Sequence, residues 1–360
     1  MRDWKRRVLP LLLIFVIYPS TRCAHSVIHS DRSKPHISPD KMVSLSNTFP
    51  PAQGWSSEKL STARDYANEI GSSSVIFIYD GKLVAEWGDT IKRIKSHSVR
   101  KSLLSALYGI AVEKKLIDLD ATMDELGIDD TPPSLTDEEK KAKVSDLLKA
   151  RSGIYHPAAK ESSSMKKKRP ERGTYPPGTH WYYNNWDFNV LGTIFENETG
   201  MTIGIAFQEW IAKPIGMQDF RVEDVIYEKE SISRHASYPF WISARDLARF
   251  GVLYLNEGKW NGRQVIPAHW IKESTSAKIQ WEKGGYGYMW WITQTGDYYA
   301  SGFGGQYVGI SPKRRLVIVN RVDTGSEGKE RRNWYLFGKK VSMNQFSKLV
   351  NLILEASPAI

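Results

Sequence analysis

A single cysteine, Cys23, stands among the 360 residues, so no disulfide can form within the chain. Histidine is sparse too, at eight residues, and none stands in H-E-x-x-H spacing. With no cysteine pair either, a zinc site is disfavoured, and neither a metal nor a cofactor is expected. Acidic residues are the minority, 40 against 50 Lys and Arg, which leaves a net charge of +10. That excess is scattered, clustering only at residues 166–169, 313–315 and 329–332, without a finger, helix-turn-helix or RNP signature. Solvated loops are the expectation for these clusters, and nucleic acid is not an expected partner. Long apolar runs are missing apart from residues 8–18 (VLPLLLIFVIY), which are short for a spanning helix.

What is present is an ordinary globular composition, 41% hydrophobic and 25% charged. The basic residues 1–7, the apolar run and the small residues after it have the layout of a secretory signal peptide over residues 1–23. Export to the periplasm or outside is therefore expected. Membrane contact would come only through that segment, if it stays uncleaved or is lipidated at Cys23. Residues 24–52 read as a linker or irregular arm, rich in Ser, Pro and His. Residues 53–356 read as one folded domain.

Within that domain, apolar spacing predicts a helix over residues 57–70. A hairpin follows, with residues 74–79 (SVIFIY) and 83–87 (LVAEW) around Asp80-Gly81, a dipeptide that favours a type I′ turn. Helices are expected at 136–150, opened by a Thr136/Glu139 capping box, and at 182–198, 202–212, 243–256 and 339–355. Residues 157–178 read as a polar loop that can serve as a lid. Strands are expected at 287–292, 298–301, 307–310 and 316–321. Strands at both ends around a mostly helical middle imply an α+β fold: an antiparallel sheet flanked by helices, with a helical lobe near residues 120–275 and a cleft between. The 13 tryptophans can line a sugar- or peptide-binding groove, but most alternate with apolar neighbours and read as core.

The chemistry centres on residues 94–119 (IKSHSVRKSLLSALYGIAVEKKLIDL). Ser98 and Lys101, three apart at the entrance of a helical pattern, would share one face of its first turn. Unpaired N–H groups at a helix start ease formation of an oxyanion. A serine nucleophile with a lysine partner is one reading; a capping serine followed by a solvated lysine is the other. Tyr183-Asn184-Asn185 supplies a phenol whose pKa an ammonium can lower, and an amide to hold the lysine or the substrate. The same Tyr-x-Asn spacing recurs at Tyr66, Tyr182 and Tyr254. The run Ser301-Gly302-Phe303-Gly304-Gly305-Gln306 allows close backbone approach, and an edge strand there can offer an N–H to an oxyanion.

Taken together and in this order, these motifs resemble the serine β-lactamase and penicillin-binding-protein superfamily. The similarity is to the class C-like branch of esterases, D-aminopeptidases and 6-aminohexanoate-dimer hydrolases. Residues 144–153 (VSDLLKARSG), 182–192 (YYNNWDFNVLG), 214–217 (PIGM) and 243–251 (SARDLARFG) carry it further. The resemblance implies a β-lactamase-like fold. It implies Ser98 as the acylated nucleophile, Lys101 and Tyr183 as proton-transfer groups, and the N–H groups of Ser98 and Gln306 as the oxyanion hole. It selects Asn185 with Phe303, Gly304, Gly305 and Gln306 as substrate-binding positions. Phe303 stands where the family usually has Lys or His, so a linear amide or ester is the expected small-molecule substrate. A β-lactamase, a D-amino-acid peptidase or a non-catalytic cell-wall scaffold remain the alternatives.

Overall fold

The computed structural model describes residues 49, 51–325 and 329–358. The expected signal peptide and most of the expected linker lie outside these residues. Among those described, no helix is long and apolar enough to cross a membrane.

Helix α1 (Ser57–Ile70) starts at the Ser56 cap and ends at Gly71, whose left-handed backbone (φ 89°) closes the last turn. Strands β1 (Ser74–Tyr79) and β2 (Lys82–Gly88) follow. Asp80 and Gly81 both have positive φ, 46° and 70°, as the type I′ turn demands. The rest of the main sheet comes from the far end of the chain: β3 (Ile279–Trp281), β4 (Gly284–Tyr286), β5 (Trp291–Ile292), β6 (Tyr298–Gly302), β7 (Gln306–Ser311) and β8 (Leu316–Arg321). The eight strands run in the order β2-β1-β8-β7-β6-β5-β4-β3, antiparallel throughout.

The sheet is buried on both faces, and residue parity decides which core each side chain joins. Ile76, Ile78, Val308, Val317 and Val319 face the larger core, with helices α2 (Arg100–Glu113), α3 (Asn185–Thr199) and α4 (Ala244–Leu255). Val75, Phe77, Tyr307 and Ile318 face α1 and the last helix, α6 (Met343–Leu354), which follows α5 (Lys329–Phe337). Helix α4 lies close on the sheet because Gly251 leaves room; a Cβ there would sit 2.5 Å from Val317. Helix α2 is buried almost all round, with Leu103, Leu104 and Leu107 wholly enclosed, as befits a helix inside a large core.

Several expected elements differ. Residues 136–150 form a single turn at Glu139–Lys141 and a short helix at Val144–Leu148. The Thr136/Glu139 box forms, but Glu139 is also taken by Arg172, so the chain is drawn into a tertiary ion pair instead of a longer helix. Residues 157–178 are pinned: a helix at Ser163–Lys168, an Arg169–Glu161 pair and the Tyr182 hydroxyl donating to Met165 hold them. Residues 287–290 leave the sheet where Met289 adopts positive φ (62°) and Gly287 N–H donates to the Trp290 carbonyl. Tyr182 and Tyr183 precede α3, because Asn184 caps it.

Candidate active site

A pair of two-residue strands, Ile94–Lys95 and Trp241–Ile242, leads into the turn His97–Val99 that carries Ser98. Behind them the wholly buried Arg321 of β8 donates to the carbonyls of Ile94 and Ile242 and to Gln306 Oε1, each at 2.7 Å. This fork ties the entry strand to the end of the sheet. His97 sits at φ 47°, an uncommon backbone for a residue with a side chain, immediately before the serine. Its Nε2 lies 2.9 Å from Thr324 Oγ1. Burial, with nearby Lys95 and Arg331, pulls its pKa down to about 3 and keeps the ring neutral.

Ser98 itself is half-exposed, while Lys101 is buried in the first turn of α2. Lys101 Nζ lies 2.8 Å from Ser98 Oγ, so the solvated lysine of the capping alternative is not what is seen. Burial, and secondarily Arg100, hold the Lys101 pKa well below the ordinary lysine value. The faces of Tyr183 and Phe188, each 4.8 Å from Nζ, favour the ammonium by only about 0.5–2 kcal/mol. Desolvating an ion costs several kcal/mol, so burial outweighs them and the shift is downward.

Tyr183 reaches the same cavity. Burial pushes its pKa up to about 12, opposed by a hydrogen bond with Ser98 and by the Arg100 charge. The expected lowering by an ammonium does not occur, because desolvation outweighs both opposing effects. Part of the Tyr183 ring remains exposed to the cleft, which moderates the rise without reversing it.

The cavity, about 440 Å³, brings Ser98 and Tyr183 together with Phe303, Gly304 and Gly305. It does not include Asn185 or Gln306. Asn185 opens α3 and donates from Nδ2 to the Lys160 carbonyl at 2.9 Å, while its buried Oδ1 has no partner among the described residues. Gln306 is wholly buried; its side chain is held by Arg321 and donates to the Val322 carbonyl. Its N–H is also turned away from the cavity. Gln306 pairs with Gly302 across the hairpin, and the Gly302 carbonyl faces β7, where it accepts from Gly305 N–H. Amide direction alternates along a strand, so the amide on the open flank of β6 is that of Phe303.

That flank is open although β6 is an inner strand. Strand β5 pairs only with Tyr298 and Tyr299, leaving the last three residues of β6 uncovered. Gly302 packs so closely on the serine turn that a Cβ would lie 3.2 Å from Ser98 N and 2.5 Å from the Ser96 carbonyl oxygen. Trp291, Ser301, Tyr307, Lys340 and Ser342 also line the cavity. Sequence reasoning did not single out these five as site residues, apart from including Ser301 in the glycine run; no local pattern marks Trp291 or Lys340. Among the described residues no cluster of three or more His, Cys, Asp or Glu could hold a metal ion.

A mixed fold with an antiparallel sheet, and a serine–lysine pair at the foot of its cleft, defines a serine hydrolase of the β-lactamase-like class. The chain belongs to the Beta-lactamase family, whose model matches residues 58–337. It is 22% identical over 296 residues to an uncharacterized protein of Alkalihalophilus pseudofirmus, a match covering 70% of this chain and 83% of that one. Its fold is similar to that of a Bacillus anthracis protein provisionally named a 6-aminohexanoate-dimer hydrolase, at 20% identity and a TM-score of 0.60, covering 89% and 90% of the two chains. A β-lactamase from Mycobacterium bovis is similar at 19% identity and a TM-score of 0.54, over 81% of this chain and 99% of the other. These likenesses establish the β-lactamase-like α+β fold.

Proposed function

We propose that the protein is an exported serine hydrolase that cleaves a linear amide or ester through an acyl-enzyme on Ser98. The observation that carries this reading is the 2.8 Å approach of the buried Lys101 amine, its pKa held well below the ordinary lysine value, to a partly exposed Ser98 hydroxyl. Ser98 Oγ attacks the substrate carbonyl as its proton passes to Lys101 Nζ. The oxyanion is received by the N–H groups of Ser98 and Phe303. Tyr183, protonated with a pKa of about 12, gives its proton to the departing amine or alkoxide. Water then attacks the acyl carbonyl and loses a proton to the Tyr183 phenolate, and Ser98 Oγ takes its hydrogen from the Lys101 ammonium as the acid leaves.

The linear substrate follows from Phe303, an exposed ring at the cavity where the family's third motif usually carries a cation. Export rests on the basic, apolar and small residues of the N-terminal segment. A burst of p-nitrophenol, one equivalent per protein molecule, is expected from a p-nitrophenyl ester and is lost in Ser98→Ala. An equal burst from both proteins refutes the assignment.

A further inference from the structure

Tryptophan is expected in the core, and Trp186 and Trp270 obey: both are wholly buried, and their indole N–H groups donate to Asp130 and to the Ser105 carbonyl. Others are only partly buried, and three of these stand together. Trp181, Trp281 and Trp291 form one cluster that reaches the serine's cavity through Trp291, with ring centroids 4.7 Å apart for Trp181–Trp281, 6.1 Å for Trp181–Trp291 and 6.2 Å for Trp281–Trp291. Trp281 is 37% exposed, and Trp291 is partly exposed in the wall of the cavity that holds Ser98. Leaving several indoles partly wet forfeits apolar burial that a core position would gain, and a contiguous exposed aromatic surface in a cleft marks a binding wall.

The geometry is that of a held plate. Trp291 stacks on Tyr183 at 5.5 Å and 27° and on Tyr299 at 6.4 Å and 14°, while Tyr286 meets it edge-on at 5.1 Å and 76°. A ring already held in place by its neighbours loses little entropy on accepting another. Around them the cavity offers glycines, hydroxyls, the Phe303 ring and the Lys340 ammonium that lies over it; no carboxylate or carboxamide side chain lines it. A sugar, which needs such partners for its hydroxyls, is poorly served; a flat apolar ring is well served.

We propose that Trp291, braced by Trp181 and Trp281, is an aromatic subsite that makes the enzyme prefer substrates carrying an aryl group next to the scissile amide or ester. The proposal rests on Ser98 being the reacting group. The test uses S-ethyl butanethioate as reference, S-ethyl 3-phenylpropanethioate with the ring on the acyl side, and S-benzyl butanethioate with the ring on the leaving side. Thiol release is followed with the full chain. At least one aryl thioester is expected to exceed the reference in kcat/KM by about tenfold, a preference that falls to about unity in Trp291→Leu and largely survives in Trp291→Phe. Absence of any aryl preference, or its persistence in Trp291→Leu, overturns the subsite. Calorimetry on Ser98→Ala protein with N-benzyl-3-phenylpropanamide and N-ethylbutanamide separates the two claims. Aryl-selective binding without any turnover by the wild type refutes the catalytic reading and supports the subsite. Equal binding of the two amides refutes the subsite alone.

Discussion

Replacing Lys101 with methionine is expected to abolish turnover and to stabilise the protein. In the native fold the amine is buried, and its pKa is depressed by burial. The folded state therefore binds fewer protons than the unfolded chain between the depressed value and the ordinary lysine value of 10.5. Stability contributed by this site rises with pH across that window, because the unfolded state is the one that holds the proton. The penalty of carrying a lysine here is greatest at low pH and vanishes above 10.5. Methionine removes it, keeps similar volume, and places sulfur against the rings of Tyr183 and Phe188, worth about 0.3–1.5 kcal/mol. The hydrogen bond with Ser98 is lost at a cost of about 0.5–1.5 kcal/mol, softened because Ser98 is half-exposed and can turn to water. Relief of an uncompensated buried polar group adds about 1–3 kcal/mol. The balance is a gain of about 1–2 kcal/mol near neutrality, a rise in Tm of roughly 2–4 °C. Thermal melts of both proteins followed by circular dichroism at several pH values between neutrality and 10.5 measure it, and the gain must shrink as pH rises. A Lys101→Met protein less stable than the wild type by the same margin at every pH would mean that the amine is a compensated cation, and the proton-acceptor argument would fall with it.

Tyr183→Phe keeps the ring stacked on Trp291 and tilted against Phe188 but removes the proton, so kcat/KM for an ester is expected to fall about 10²–10⁴-fold while the unfolding midpoint stays within experimental scatter. Unchanged turnover would remove the phenol from the mechanism. The pH profile of kcat/KM should climb to a plateau through one ionisation below the ordinary lysine range, because the neutral amine is the active form, with the loss due to Tyr183 displaced toward about 12. A profile that falls with rising pH across that range contradicts the assignment of Lys101 as base.

Local rules read some of this structure well and distant contacts hid the rest. Residues 57–70 and 74–79 have the expected bounds because a Ser56 cap, a terminal glycine and an Asp-Gly turn act over a few residues. The α+β architecture was legible for the same reason, since strand-forming runs sit at both ends of the chain. The helix expected at 136–150 broke because Arg172, 33 residues from Glu139, competes for its capping group. The strand expected at 287–292 shrank to its last two residues because Met289 turns left-handed. At the site, spacing and resemblance brought Ser98, Lys101 and Tyr183 into consideration. Their protonation was not legible, since it depends on how completely α2 is enclosed. Nor was the direction of the Gln306 amide, which strand parity turns toward Gly302. The three cleft tryptophans carry no local signature distinguishing them from those of the core.

The most direct measurement is covalent labelling of the full chain by a fluorophosphonate, followed by mass analysis of the modified peptide. The account predicts one adduct per chain, located on Ser98, absent in Ser98→Ala and slowed in Lys101→Met. An adduct on another residue, or labelling that persists unchanged in Ser98→Ala, contradicts it.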